Sequence, residues 1–345
     1  MAWGEERQVV PLQYELGGLF LGTAELELKP TAPRGVKLPP LKEPLFFSWK
    51  FVDGKRLFVL AKEGKEFVLY VDTDGDNDLT DEQPFRLQLG WGNVLGPIPI
   101  TLRFNDQTII RNFFVIVNTK GEIPVLTLQS ADQWTGMLLW EGKPMTVVVK
   151  DADCDGLIGK GDWLQLGDHS LLAVGKIGIN GRFFRHRVEP TGKELILEPM
   201  QVQTADLRFQ GERLGISVER KNERWWLEGE GGELKAPIGS FYLLKVDIYR
   251  KDTKGRLWNL SATSFGEPPN LRILKQGTTL NLEPLRINLQ WDEEGDKLIF
   301  SLDITTANGM DVVMLLVNEK RPPAPKLRLT TPDGKVIAER QFHYG

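Results

Sequence analysis

Two acidic loops of nearly the same design, Asp72-Thr73-Asp74-Gly75-Asp76-Asn77-Asp78 and Asp151-Ala152-Asp153-Cys154-Asp155-Gly156, each follow an apolar run. Carboxylates at alternate positions of a tight loop converge on one point, where they repel one another unless a hard, oxygen-seeking cation lies between them. The alternative is a pair of ordinary solvated acidic turns, against which the spacing argues, so these acids are expected to meet around a cation. The flanking runs, Glu66-Phe67-Val68-Leu69-Tyr70-Val71 and Met145-Thr146-Val147-Val148-Val149, are rich in β-forming residues. The loops are therefore expected at strand ends, with no flanking helices.

The second loop fits the twelve-position calcium pattern best. Asp151, Asp153 and Asp155 stand at positions one, three and five, and Gly156 stands at the sharp turn. Leu157 offers a backbone carbonyl, Ile158 is the apolar eighth position, and Asp162 closes the shell at position twelve. An aspartate there is shorter than the usual glutamate, which leaves calcium and magnesium both open. In the first loop Asp72, Asp74 and Asp76 repeat the spacing and Asp78 can offer its carbonyl. Asn77 replaces the turn glycine, and asparagine tolerates positive φ better than most residues. Position twelve falls on Gln83, so the closing carboxylate is Asp81 or Glu82. Two calcium sites are expected.

Hairpin turns read at Phe51-Val52-Asp53-Gly54-Lys55 and at Trp140-Glu141-Gly142-Lys143 precede the two loops, suggesting a degenerate repeat of hairpin, acidic loop and strand. Short apolar runs such as Ala24 to Leu28, Phe113 to Val117, Glu194 to Leu197 and Leu298 to Leu302 lie between Gly, Pro, Asp and Asn punctuation, and helical periodicity is almost absent. Asn180-Gly181, Glu294-Gly295, Asn308-Gly309 and Asp333-Gly334 read as further turns. The expectation is an all-β fold of antiparallel meanders and sandwiches carrying two calcium-binding loops, with C-terminal β-sandwich modules. An N-terminal β region at 1–130 with the first loop and a region at 131–200 with the second form one compact unit. A small β module follows at 201–275, and an immunoglobulin-like sandwich at 276–345.

At 345 residues the chain can bury several cores without staples, and its single cysteine, Cys154, excludes an internal disulfide framework. The formal charge of -4 shows no basic excess, which argues against nucleic acid or an anionic membrane as partner. No run of eighteen apolar residues reads as a membrane span, and Met1-Ala2-Trp3-Gly4-Glu5-Glu6-Arg7 lacks the features of a signal peptide. Weak calcium sites fill outside the cytosol, so an extracellular or cell-surface setting is expected, with a cytoplasmic one as the alternative.

The segments Val71 to Glu82 and Val149 to Trp163, with the ending Pro322-Pro323-Ala324-Pro325-Lys326 to Tyr344-Gly345, resemble exported bacterial all-β proteins. In that group dockerin-like or EF-hand-like calcium loops join strands, and an immunoglobulin-like module follows. The resemblance implies calcium binding and an extracellular setting, with no known reaction. It carries ligand roles onto Asp72, Asp74, Asp76, Asp151, Asp153, Asp155 and Asp162.

Catalytic signatures are missing from the sequence. His169, His186 and His343 are scattered without metal-ligand spacing, and no nucleophile elbow, phosphate loop or His-Glu-x-x-His motif is present. The expected function is that of a calcium-stabilised structural or interaction protein without catalysis, assembling with itself or with a cell-surface or glycan partner. One alternative is carbohydrate binding through exposed tryptophans, with Trp134, Trp140, Trp225 and Trp226 as candidates and one of the adjacent pair Trp225 and Trp226 facing solvent. A glycoside hydrolase is the remaining alternative, since two carboxylates suffice for that chemistry.

Overall fold

A computed structural model describes residues 6–17, 23–64, 66–86, 94–119, 121, 123–295 and 297–343. The opening residues 1–5 and the closing pair 344–345, which enter the readings above, lie outside them. The described residues form strands, turns and loops and contain no helix, so the chain is all-β. It divides into two compact units, Met1–Gly175 with Phe184–Pro199, and Lys176–Phe183 with Met200–Gly345.

The first unit contains a five-stranded antiparallel sheet of Glu27–Lys29, Leu45–Phe51, Gly54–Glu63, Glu66–Val71 and Phe85–Arg86 in chain order. A second sheet places Val125–Ser130 beside Gln107–Asn118, which pairs in turn with Val94–Phe104. Phe47, Phe58, Leu69 and Val71 of the first sheet share one core with Ile98, Ile100, Phe113 and Leu128 of the second. Alternation along Gly54–Glu63 sends Phe58 and Leu60 into that core and Leu57, Val59 and Ala61 to the other face, where they meet Leu79. The strand is buried on both faces, which is why its sequence reads as a continuous apolar run.

A further five-stranded sheet in the same unit runs His169–Leu172, Trp163–Leu166, Lys143–Lys150, Asp132–Trp140 and Gln13–Leu16. Each acidic loop joins two antiparallel neighbours. The first leads from Glu66–Val71 back to Phe85–Arg86, and the second from Lys143–Lys150 back to Trp163–Leu166. The two settings differ by one strand. Trp140 and Lys143 close the turn one strand before the second loop, whereas Phe51 and Gly54 close theirs two strands before the first.

In the second unit, the core formed by Leu207, Ile216, Val218, Trp225, Leu227, Leu234, Phe241 and Val246 also takes in Leu260, Ala262 and Met310. Leu257–Thr263 pairs directly with Asp311–Val317. The module boundary expected near 276 is thus crossed by a sheet, because strands on both of its sides bury side chains in one core. Beyond it, Arg286–Glu294 and Lys297–Thr305 form a ribbon, and Lys326–Thr330 with Val336–Gln341 form a two-stranded sheet.

Candidate metal centres

Both acidic loops are wound by their own carboxylates. In the first, the N–H groups of Gly75, Asp76 and Asp78 donate to Asp72 Oδ1, Asp74 Oδ1 and Asp76 Oδ1 at 2.8, 3.2 and 2.7 Å. In the second, Asp155, Gly156 and Leu157 donate to Asp153 Oδ1, Asp151 Oδ2 and Asp155 Oδ1 at 3.3, 2.9 and 2.8 Å. A short acidic side chain that accepts a backbone N–H a few residues on imposes the tight turn locally.

The closing carboxylate is defined in each case by the same backbone group, the N–H at position two. Thr73 N–H and its hydroxyl donate to Glu82 Oε1 at 2.6 and 2.8 Å. Ala152 N–H donates to Asp162 Oδ1 at 2.7 Å, and Asp162 Oδ2 takes the Gly159 N–H at 2.5 Å. Of the two closing candidates in the first loop, Glu82 holds this place and Asp81 is exposed. The Asp78 side chain accepts from Lys37 Nζ at 2.5 Å and from Thr80 N–H at 3.0 Å. Asp76 is exposed, and Leu157 is half-buried at position seven.

Two sets of carboxylates are brought together: Asp72, Asp74 and Glu82, and Asp151, Asp153 and Asp155, each with ligand oxygens within 4.8 Å of one another. In both sets the first acid is buried, with Asp72 only 1% and Asp151 only 2% exposed. One oxygen of each, Asp72 Oδ2 and Asp151 Oδ1, is buried without a hydrogen-bond donor. A buried carboxylate oxygen with nothing to bind is costly, and negative oxygens at such separations repel by about 3–4 kcal/mol per pair at an effective dielectric near 20.

Protonation reflects this crowding. Burial, and then the charges of Asp162, Asp155 and Asp153, raise the Asp151 carboxyl well above its ordinary range. Asp162 is pushed up to about 7, chiefly by burial and against the Gly159 N–H that favours its anion. Burial likewise raises Asp72, Glu82 and Asp153. A divalent ion among these oxygens reverses the preference by stabilising the anions.

The donor set fits such an ion. It is all oxygen, as hard cations require, and the Cys154 thiol points away, with Sγ 3.7 Å from the Leu128 carbonyl in the core. The chemistry of three carboxylates in a loop with φ-positive turns suits calcium or magnesium better than zinc or copper, which favour imidazole or thiolate.

Distant residues hold the loops in ways that local sequence does not signal. Arg56 reaches the Asp53 carboxylate and the Thr101 carbonyl at 2.9 and 3.0 Å beside Gly75, while Thr101 N–H donates to Thr73 O at 2.7 Å. Arg111 donates to the carbonyls of Gly156 and Thr191, both at 2.9 Å, with its guanidinium 4.7 Å from the Trp134 ring centroid. Trp49 Nε1 binds the Cys154 carbonyl at 2.7 Å, and Val52 N–H binds that of Asp155 at 3.0 Å. Leu79 and Ile158, both at position eight, are buried as anchors.

The tryptophans named as sugar platforms are not exposed. Trp134, Trp140, Trp225 and Trp226 are all buried, and the expectation that one of the adjacent pair faces solvent is overturned. The strand Glu223–Glu230 is covered on both faces: Trp225 packs edge-on against Phe183 in the core, and Trp226 lies over Gly215, where a Cβ would come within 2.4 Å of Cζ2. His169 and His186 are likewise buried, and neither joins an acidic cluster.

No family model matches the chain, and comparison with curated proteins and with solved structures finds no match. No helix among the described residues is long and apolar enough to cross a membrane.

Proposed function

We propose that this chain is a calcium-binding, calcium-stabilised extracellular structural or interaction protein without catalytic activity, in which two ions fix the hairpin corners at Asp72 to Glu82 and Asp151 to Asp162. The observation that carries the reading is the donorless buried oxygen on the first acid of each loop, an acid gathered with two further carboxylates. Asp162, joined to the second loop through Ala152, is the further ligand there. Sites that bind calcium at about 10⁻⁴ to 10⁻³ M, as those of extracellular modules do, fill only outside the cytosol, and an affinity in that range is what the extracellular setting requires.

Elemental analysis with calorimetric titration tests this reading. Two equivalents of calcium per chain are expected, with one lost in Asp72→Asn and one in Asp151→Asn. A chain that binds no divalent ion up to about 10 mM, well above that range, overturns it.

A second reading, glycan binding, draws on a cleft in the second unit lined by Trp258, Arg250, Asp252, Asn281 and Glu283. An indole beside polar groups suits a sugar ring. Glycan-array binding that is lost in Trp258→Ala is the expected result, and an array without signal removes this reading.

A further inference from the structure

We infer that the strand Arg286–Glu294 is a docking edge for a second copy of this chain, adding the partner's identical strand antiparallel about a two-fold axis at Gln290. The strand ends its sheet among the described residues, with Lys297–Thr305 as its neighbour. Glu294 and Lys297 close the hairpin turn, and the pair flanking a two-residue turn exchanges both of its hydrogen bonds. The backbone groups of residues 286, 288, 290, 292 and 294 therefore point at Lys297–Thr305, and those of Ile287, Leu289, Trp291 and Glu293 point at the free edge. Glu293 N–H agrees with this assignment, donating at 2.8 Å to the side chain of Asp292.

The side chains carry the second half of the argument. Ile287, Leu289 and Trp291 are 68%, 46% and 62% exposed, and they stand opposite Ile304, Leu302 and Phe300 on one apolar face of the ribbon. A long exposed edge with an apolar face is a template for strand addition unless charge opposes it. Here charge favours a copy of itself. An axis at Gln290 sets Arg286 against the partner's Glu294, Leu289 against the partner's Trp291 and Asn288 against the partner's Asp292. The outward residues 287 and 289 then face the partner's outward residues 293 and 291, which is the alternation an antiparallel ladder needs. Only Ile287 meets an unlike residue, the partner's Glu293. This inference does not depend on calcium, because none of the acidic-loop residues takes part.

Sedimentation equilibrium of the full chain from about 1 to 100 μM tests it. The wild type is expected to pass from monomer to dimer over that range. Glu294→Arg is expected to raise the dissociation constant about tenfold by placing like charges across both ends of the ladder, and adding Arg286→Glu to it is expected to restore pairing. Leu289→Pro, which removes an outward N–H and leaves the ladder to Lys297–Thr305 intact, is expected to be monomeric with an unchanged melting temperature. Gln290→Cys is expected to form an intermolecular disulfide on mild oxidation, since opposed residues of a non-hydrogen-bonded pair lie about 4.5 Å apart at Cα and the native Cys154 is buried. A monomer at every concentration, or a dimer insensitive to both Glu294→Arg and Leu289→Pro, overturns the inference.

Discussion

Replacing Asp151 by asparagine separates a metal ligand from an ordinary loop carboxylate, because the two roles predict opposite signs. Asparagine keeps an oxygen for the Gly156 N–H, which in the wild type donates to Asp151 Oδ2 at 2.9 Å, and removes one negative charge from a cluster whose oxygens lie within 4.8 Å of one another. At that separation each like-charge pair is worth about 3–4 kcal/mol at an effective dielectric near 20, part of which proton uptake already relieves in the metal-free wild type. In chelator, Asp151→Asn is therefore expected to melt at or above the wild-type temperature. With calcium at a hundred times the dissociation constant, each filled site adds about 2.7 kcal/mol, or roughly 5–10 °C for a unit of 150–250 residues. Scanning calorimetry should then show the wild type rising for two sites and the variant for one, so that the order of the two melting temperatures inverts between chelator and calcium. The same difference between variant and wild type in both buffers would mean that calcium makes no use of Asp151, and the metal argument would fail with it.

Three further outcomes follow from other parts of the structure. His186 is buried, its Nε2–H donates to the Leu172 carbonyl at 2.8 Å, its Nδ1 has no partner, and burial lowers its pKa from 6.5 to about 4. The unfolded chain thus binds a proton that the native chain refuses between those values, so this contribution is fully present above pH 6.5 and falls by about 3 kcal/mol as pH drops to 4. Urea unfolding of wild type against His186→Gln should show the difference shrinking over that window, and a pH-independent difference would refute it. Gly156→Ala is expected to cost about 1–3 kcal/mol in chelator, since its Cβ would lie 2.2 Å from Leu102 Cδ1, whereas Asn77→Gly, at an exposed φ of 65°, should stay within about 0.5 kcal/mol of wild type by the same urea assay. The Cys154 thiol is fully buried, and burial pushes its pKa upward, so its labelling by a thiol reagent should proceed only at the rate of unfolding; prompt labelling of the native chain would contradict its place in the core.

The all-β class was legible because turn residues recur between short apolar runs, and Asn180, Gly181, Gly295, Gly309 and Gly334 do adopt positive φ. The acidic positions one, three and five were legible because their chemistry is local. Closure of the first loop was not, since Glu82 acts from position eleven and Asp162 from position twelve: the longer side chain at the earlier position reaches the same position-two N–H as the shorter one a residue later. The hold of Arg56 and Arg111 on the loops left no signal, because, apart from Asp53 beside Arg56, the groups they bind lie 45 or 80 residues away along the chain. The tryptophan pair misled for a related reason. Alternation exposes one of two adjacent residues only where a sheet has one covered face, and whether a second layer covers the other is a property of distant chain.

The two loops also show what the glycine in such a pattern is for. Each has positive φ at positions four and six, on Gly75 and Asn77 in the first and on Cys154 and Gly156 in the second. The backbone path is shared, yet the glycine has changed places. Conformation alone does not account for that, because asparagine and cysteine occupy the left-handed region at the alternate position. Packing does: a Cβ on Gly75 would stand 2.5 Å from the Arg56 guanidinium carbon, and one on Gly156 would stand 2.2 Å from Leu102. The other left-handed residue is free to carry a side chain, which Asn77 sends to solvent and Cys154 sends into the core with Phe51 and Leu102. Glycine in these loops therefore marks where the corner presses against its sheet, and the acids at positions three and five, which accept the position-five and position-seven N–H in both loops, set the course of the chain.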